Sequence, residues 1–178
     1  NETLNGLSFT TTGGIVDGVS GTPTLTVGDN NTTSTFSGVI QNTAGALALT
    51  KIGTGTLTLT NTNTMSGAVT ISAGTLSIGD GTTDGSIATS ANIVDNAALI
   101  YNNTTAKTYA NVISGSGTLT KTGAGTLNLT NTNTYTGTTT ITTGTLSIGD
   151  GTTDGSIATS ANIVNNAALI YNNTTAKT

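Results

Sequence analysis

The sequence predicts an all-β protein built as a β-solenoid, a stack of coils rather than a closed globule. The first observation behind this is duplication: Lys51–Thr108 recurs as Lys121–Thr178, 70 residues on, with ten differences over 58 positions. A closed core gives each residue its own environment, whereas in a stack each unit meets a copy of its neighbour. The second is alternation: Leu127 and Leu129 alternate with Thr126, Asn128 and Thr130, the period of two that marks a half-buried strand. The third is composition. Threonine fills about a quarter of the 178 residues, 24 are Gly and only 7% are charged, against roughly 25% in ordinary soluble domains. A disordered chain shares that polarity but lacks the regularly placed Leu, Ile and Val.

Taken from the N-terminus, Leu25–Ile40 lines up with Leu99–Ile113 if one residue is allowed as an insertion. Both run from an apolar triplet through an Asn-rich corner and an aromatic residue to Val-Ile. Residues 1–40 therefore read as diverged coils of a preceding repeat, 41–113 as the first copy, and 114–178 as a second copy that stops mid-repeat. All belong to a single solenoid segment. The corner Gln41–Lys51 is three residues longer than Ser114–Lys121, an insertion that a solenoid projects as a loop without breaking its stack.

Within a unit, strands of three to five residues are divided by Gly, Asn or Asp, residues suited to corners. Three coils of roughly 21, 23 and 26 residues fill one 70-residue period, each a plausible solenoid turn. A helix competes over Ser86–Tyr101, where Ala88, Ala91, Ala97 and Ala98 are good helix formers. Against it stand Asn92, Ile93, Val94, Asn96 and the pair Asn102-Asn103, all poor in helices.

The net charge of −4, four lysines and absence of Arg and His argue against nucleic acid, which needs clustered cations. They also give no electrostatic reason to sit on an anionic membrane, and no apolar run reaches the length of a spanning helix. With no cysteine there is neither a disulfide nor a thiolate metal site.

The segment Leu119–Gly149, LTKTGAGTLNLTNTNTYTGTTTITTGTLSIG, resembles the autotransporter-associated β-strand repeat, also called the passenger-associated transport repeat. The likeness lies in L-T-K-x-G-x-G-x-L-x-L, then N-x-Y-x-G-x-T-x-I, then G-T-L-x-I-G. The first copy, Leu49–Gly79, departs by Met65 for Tyr135 and Val69 for Thr139. The resemblance implies a right-handed parallel β-helix, exported as part of a large bacterial surface protein, linked to passenger folding and secretion and carrying no active site.

Catalysis needs tuned groups in one pocket, and the eight acids pair closely only as Asp80/Asp84 and Asp150/Asp154 in the turn G-D-G-T-T-D-G. These four are also the weak candidates for calcium, as oxygen ligands. Against that, the turn lacks the calcium-binding nonapeptide pattern, and two such loops three coils apart lie about 14 Å from each other. The plainer reading is an Asp-Gly turn with solvated carboxylates. Lys51 and Lys121, like Lys107 and Lys177, read as solvated lysines that block edge pairing. Tyr101, Tyr109, Tyr135 and Tyr171 read as core or corner residues before sugar-stacking ones. The sequons at Asn31, Asn103 and Asn173 match by chance in so Asn/Thr-rich a chain. The Thr rows (Thr56, Thr58, Thr60; Thr126, Thr130) fall on about one coil in three, too few for an ice-binding face.

The sequence thus predicts no catalytic residue, no metal and no cofactor. It predicts a structural module of an exported bacterial adhesin or surface filament, on the exterior of a Gram-negative outer membrane. Its expected partners are its own kind through the terminal coils, or further repeats, with surface glycans or other cells as possible targets and no direct membrane insertion. The rival reading is a carbohydrate- or receptor-binding solenoid such as a phage fibre, for which a corner insertion with exposed aromatics would be the sign. The insertion at Gln41–Gly45 has none.

Overall fold

The computed structural model describes residues 1–8, 14–87, 91–157 and 162–175. Within them the chain forms short strands joined only in parallel, and no helix. The region Ser86–Tyr101 holds three strands where a helix competed (Ala88 lies outside the described residues).

The strands fall on three faces. Face A begins as a six-stranded sheet of β1 (Glu2–Leu4), β3 (Thr24–Val27), β6 (Ala48–Lys51), β9 (Val69–Ile71), β12 (Ile93–Asp95) and β15 (Ile113–Ser114). The pair β18 (Thr132–Asn133) and β21 (Ser156–Ile157) continues it, since Thr134 N–H donates to Ile113 O at 2.9 Å. Face B is a seven-stranded sheet: β4 (Ser34–Phe36), β7 (Thr56–Leu59), β10 (Thr75–Ile78), β13 (Ala98–Asn102), β16 (Thr118–Thr122), β19 (Thr139–Ile141) and β22 (Ile163–Asn165). Face C comes in pieces: β2 (Ile15–Gly18) with β5 (Val39–Asn42), then β8 (Thr62–Asn63) with β11 (Ser86–Ile87). It ends in β14 (Lys107–Tyr109), β17 (Thr126–Leu129), β20 (Thr145–Ile148) and β23 (Ala168–Tyr171). From β3 onward the chain visits A, B and C in strict rotation, giving a β-solenoid of about seven turns, about 34 Å long at the usual strand spacing.

Parallel register turns inward positions into ladders. On face A, Leu25, Leu49, Val69, Ile93 and Ile113 stand on successive rungs. On face B the ladder is Leu57, Leu76, Leu99, Leu119, Thr139 and Ile163. Residues between them point outward, as Thr26, Thr50 and Thr70 do on face A, where threonine's β-branched shape suits a pleated surface. One core cluster runs from Leu7 to Ile148. Each fully buried Leu or Ile rung stabilises by about 1.5–3 kcal/mol, and Leu57, Leu59, Ile71, Leu76 and Ile78 on such rungs stand unchanged in the second copy.

Rungs lie 19 residues apart at the shortest, Thr56 to Thr75, and 24 at the longest, Leu25 to Leu49. The 70-residue period holds ten strands: β6–β15 precede the start of the second copy at β16. Ten strands on three faces make three coils and one further face, so β6–β13 recur as β16–β23 one face further round. β6 lies on A and β16 on B; β7 lies on B and β17 on C.

The long corner after β5 behaves as a loop at its tip, where Thr43 and Ala44 are exposed, while Leu47 turns back into the core. Asp17 on the coil below holds the tip, accepting from Thr43 N–H at 2.8 Å.

Candidate functional site

The chemistry-bearing residues lie on the corners and on a few polar rungs, and three recurrent sites account for most of them. The first corrects the reading of Lys51 and Lys121 as solvated. Both are 1% exposed. Lys51 occupies the ladder between Val27 and Ile71, and Lys121 the one between Tyr101 and Ile141. Each stem fills a core rung while the ammonium reaches into the corner. Lys51 Nζ donates to Ile52 O (2.6 Å), Gly53 O (2.9 Å) and Ala73 O (3.4 Å). Lys121 Nζ does the same to Thr122 O (2.6 Å), Gly123 O (2.9 Å) and Thr143 O (3.5 Å). Burial pushes both amines down from their ordinary value. The ring of carbonyls opposes that, because it hydrogen-bonds best to the charged form. The coil above closes the site with Gly74 at φ +67°. A Cβ there would meet Gly53 O at 2.4 Å and Lys51 Nζ at 2.9 Å. The signal was in the sequence: Lys51 and Lys121 share the parity of Leu49 and Leu119, so they face inward.

The second site went unremarked in the sequence. Asn63 and Asn133 are fully buried and replace an apolar rung. Asn63 Oδ1 accepts from Ile40 N–H below (2.9 Å), and its Nδ2 donates to Asn61 O (2.9 Å) and to Ser86 O above (3.0 Å). Asn133 repeats the pattern with Ile113, Asn131 and Ser156. One amide thus ties three coils where the main chain bends out of ladder geometry. Leaving such buried groups unpaired costs about 1–3 kcal/mol each. Asn63→Ala is therefore expected to lower stability by about 3 kcal/mol, read as a fall in the urea midpoint, and Asn133→Ala by a similar amount.

The third comprises the calcium candidates. Asp80 Oδ1 accepts from Thr82 N–H (2.8 Å), Thr82 Oγ1 (2.7 Å) and Thr83 N–H (2.6 Å); Asp150 does so from Thr152 and Thr153. Asp84 reaches the next coil. It accepts from Thr104 N–H (2.7 Å) and from the hydroxyls of Thr104 and Thr105, and Lys107 Nζ stands 3.4 Å away. Burial alone would raise the Asp84 pKa, yet those hydroxyls and amides with Lys107 hold it well below the usual carboxylate range. The Thr83 N–H lowers Asp80 and the Thr152 hydroxyl lowers Asp150. Asp154 likewise accepts from Thr174 N–H at 2.6 Å; Lys177 lies outside the described residues. Each carboxylate is thus engaged as a turn or corner cap. Among the described residues no three His, Cys, Asp or Glu side chains converge. The two loops sit on different corners, B to C and C to A, rather than one above the other.

The remaining candidates are structural. Tyr101 and Tyr109 are 3% exposed and Tyr135 is fully buried, while Tyr171 on the last described coil is 63% exposed. The Asn103 side chain clamps Gly85 through both its N–H (2.8 Å) and its O (3.1 Å), so the asparagine of that sequon is buried in the stack. Thr60 is buried, and the outward row through Thr58 continues as Ser77 and Ile100, which breaks the threonine row. Thr139, the counterpart of Val69, faces inward and lies fully buried in the core ladder. Its hydroxyl meets the Tyr135 hydroxyl at 2.6 Å, so Met65→Tyr and Val69→Thr form one coupled change. Thr139→Val alone is expected to cost about 1–2 kcal/mol. The double change Tyr135→Met, Thr139→Val should cost less than the two singles together, by about 1 kcal/mol in a double-mutant cycle.

These ladders, lysine corners and asparagine rungs recur in two segments, and residues 49–78 and 119–148 both match the family described as passenger-associated-transport-repeat. The chain carries two passenger-associated transport repeats. Over 82 residues, 46% of its length, it is 57% identical to a protein of Brucella suis biovar 1 (strain 1330) named Adhesin BmaC autotransporter. The aligned stretch spans 2% of that protein. No solved structure matches. The matched residues of each passenger repeat contain the lysine corner and the asparagine rung, while the Asp80–Asp84 and Asp150–Asp154 loops begin just beyond them.

Proposed function

We propose that this chain is a length of non-catalytic shaft in an exported surface protein, an adhesin passenger or filament on the exterior of a Gram-negative outer membrane. We further propose that coil-by-coil folding assists its export. The observation that carries this reading is the use of the polar repeat residues. Lysine, asparagine and aspartate spend their hydrogen bonds within their own corners and on the neighbouring coils, which leaves them to hold a rod together. Contacts between adjacent coils let folding propagate from one end as the chain emerges. The exposed Ile170 and Tyr171 would be covered by a further coil, of this chain or of another copy.

The test places the chain ahead of an outer-membrane translocator barrel and measures protease-resistant passenger on intact cells. Leu129→Asp, which breaks a core ladder, is expected to reduce surface display several-fold while barrel insertion is unchanged. Equal display of the two would sink the folding role. Measured hydrolysis of a surface polysaccharide by the purified chain would overturn the non-catalytic reading.

A further inference from the structure

We infer that tandem units of this kind wind around the shaft by one face each, so that whatever a unit displays is presented on three sides in turn. The register carries this. Thr50 points outward on face A, paired with Thr26 and Thr70, whereas Thr120, 70 residues later, points outward on face B, paired with Ile100 and Thr140. The same shift holds for β6–β13 against β16–β23.

The fold permits it because the three faces are chemically interchangeable. Lys51 fills the corner from A to B and Lys121 the corner from B to C, with matching carbonyl partners. Asn63 ties three coils on face C and Asn133 does so on face A. The lysine corner and the asparagine rung keep the same set of bonds on either face.

The consequence is for valency. The exposed Thr82-Thr83 knob projects between faces B and C, and its copy Thr152-Thr153 between C and A. A knob returns to the same side only after three units, ten coils or about 48 Å, instead of every unit at about 16 Å. Partners arrayed around the shaft would each meet the same surface. A flat partner along one side would meet a third of the knobs, with the loss of effective concentration that wider spacing brings. This inference rests on coil register alone, so its failure would leave the proposed shaft role standing.

The chain has no cysteine, so paired spin labels report single distances. Thr58 and Thr120 stand three rungs apart on face B, through Ser77 and Ile100. Labels on T58C/T120C are expected about 14 Å apart, while T50C/T120C, the repeat-equivalent pair, should lie about 25–30 Å apart. A second equivalent pair at the exposed Thr62 and Thr132 should give the longer distance as well. If T50C/T120C and T62C/T132C give the short distance and T58C/T120C the long one, the unit is a whole number of coils and the winding is wrong.

Discussion

Lys121→Ala is expected to destabilise the solenoid by about 3–5 kcal/mol, the largest loss of any single polar residue in the chain. Two effects combine. The stem of Lys121 fills a rung between Tyr101 and Ile141, so truncation opens a cavity, which is destabilising beyond the lost transfer energy. Loss of the ammonium also takes the donor from Thr122 O and Thr143 O and leaves Gly123 O only the Thr143 hydroxyl at 3.4 Å, and buried acceptors without partners cost about 1–3 kcal/mol each. Lys121→Met separates the effects, because it keeps the stem and removes the charge; about 2–3 kcal/mol should remain. Lys51→Met should cost a similar amount, since its corner offers the same set of carbonyls. Lys107→Ala provides the contrast: its ion pair with Asp84 is partly solvated, and such pairs contribute about 1 kcal/mol or less. Urea midpoints for the four variants decide the matter. Wild-type stability in Lys121→Met would show that the carbonyl corner does not need its cation.

The contrast among these lysines marks how far the sequence could be read. Parity and duplication identify strands, coils and apolar ladders, because those follow from a period of two and a repeat of 70. Parity also places Lys51 and Lys121 inward, but a general expectation that lysine is solvated overrides it unless the corner is seen. Snorkelling along a core rung to a ring of glycine-corner carbonyls depends on three coils meeting, and no local pattern encodes that. Asn63 and Asn133 were legible only as corner residues, since their partners lie 20 or more residues away except for Asn61 and Asn131. The extra third of a turn in each unit was hidden for another reason. Corner length sets how many strands a period holds, and a sequence divides as readily into three long coils as into ten short strands.

Asp95 gives the second large effect, with its sign set by pH. Asp95 ends β12 on a ladder otherwise filled by Leu4, Val27, Lys51 and Ile71. It is fully buried: Oδ1 accepts from Ala97 N–H at 3.0 Å, Oδ2 has no hydrogen-bond partner, and Gly117 covers the carboxyl from the next coil. Burial pushes its pKa up to about 6, against the lowering effect of the Ala97 N–H. A folded-state pKa above the unfolded value of 3.8 means the folded chain binds the proton more tightly. The resulting stability is fully present below pH 3.8 and is lost as pH rises through about 6. Asp80, Asp84 and Asp150, whose pKa values are lowered, act below that window, losing their contribution as the medium becomes more acid. Between pH 4 and 7 the wild-type chain should therefore lose on the order of 3 kcal/mol through Asp95. The second copy carries Asn165 in place of this acid. Asp95→Asn is accordingly expected to raise the urea midpoint at pH 7.5 and to flatten its change down to pH 4.5, with little effect at the acid end. A variant that matched wild type at pH 7.5, or kept the same slope, would show that Asp95 is hydrated in the folded chain and that its buried charge is not a liability.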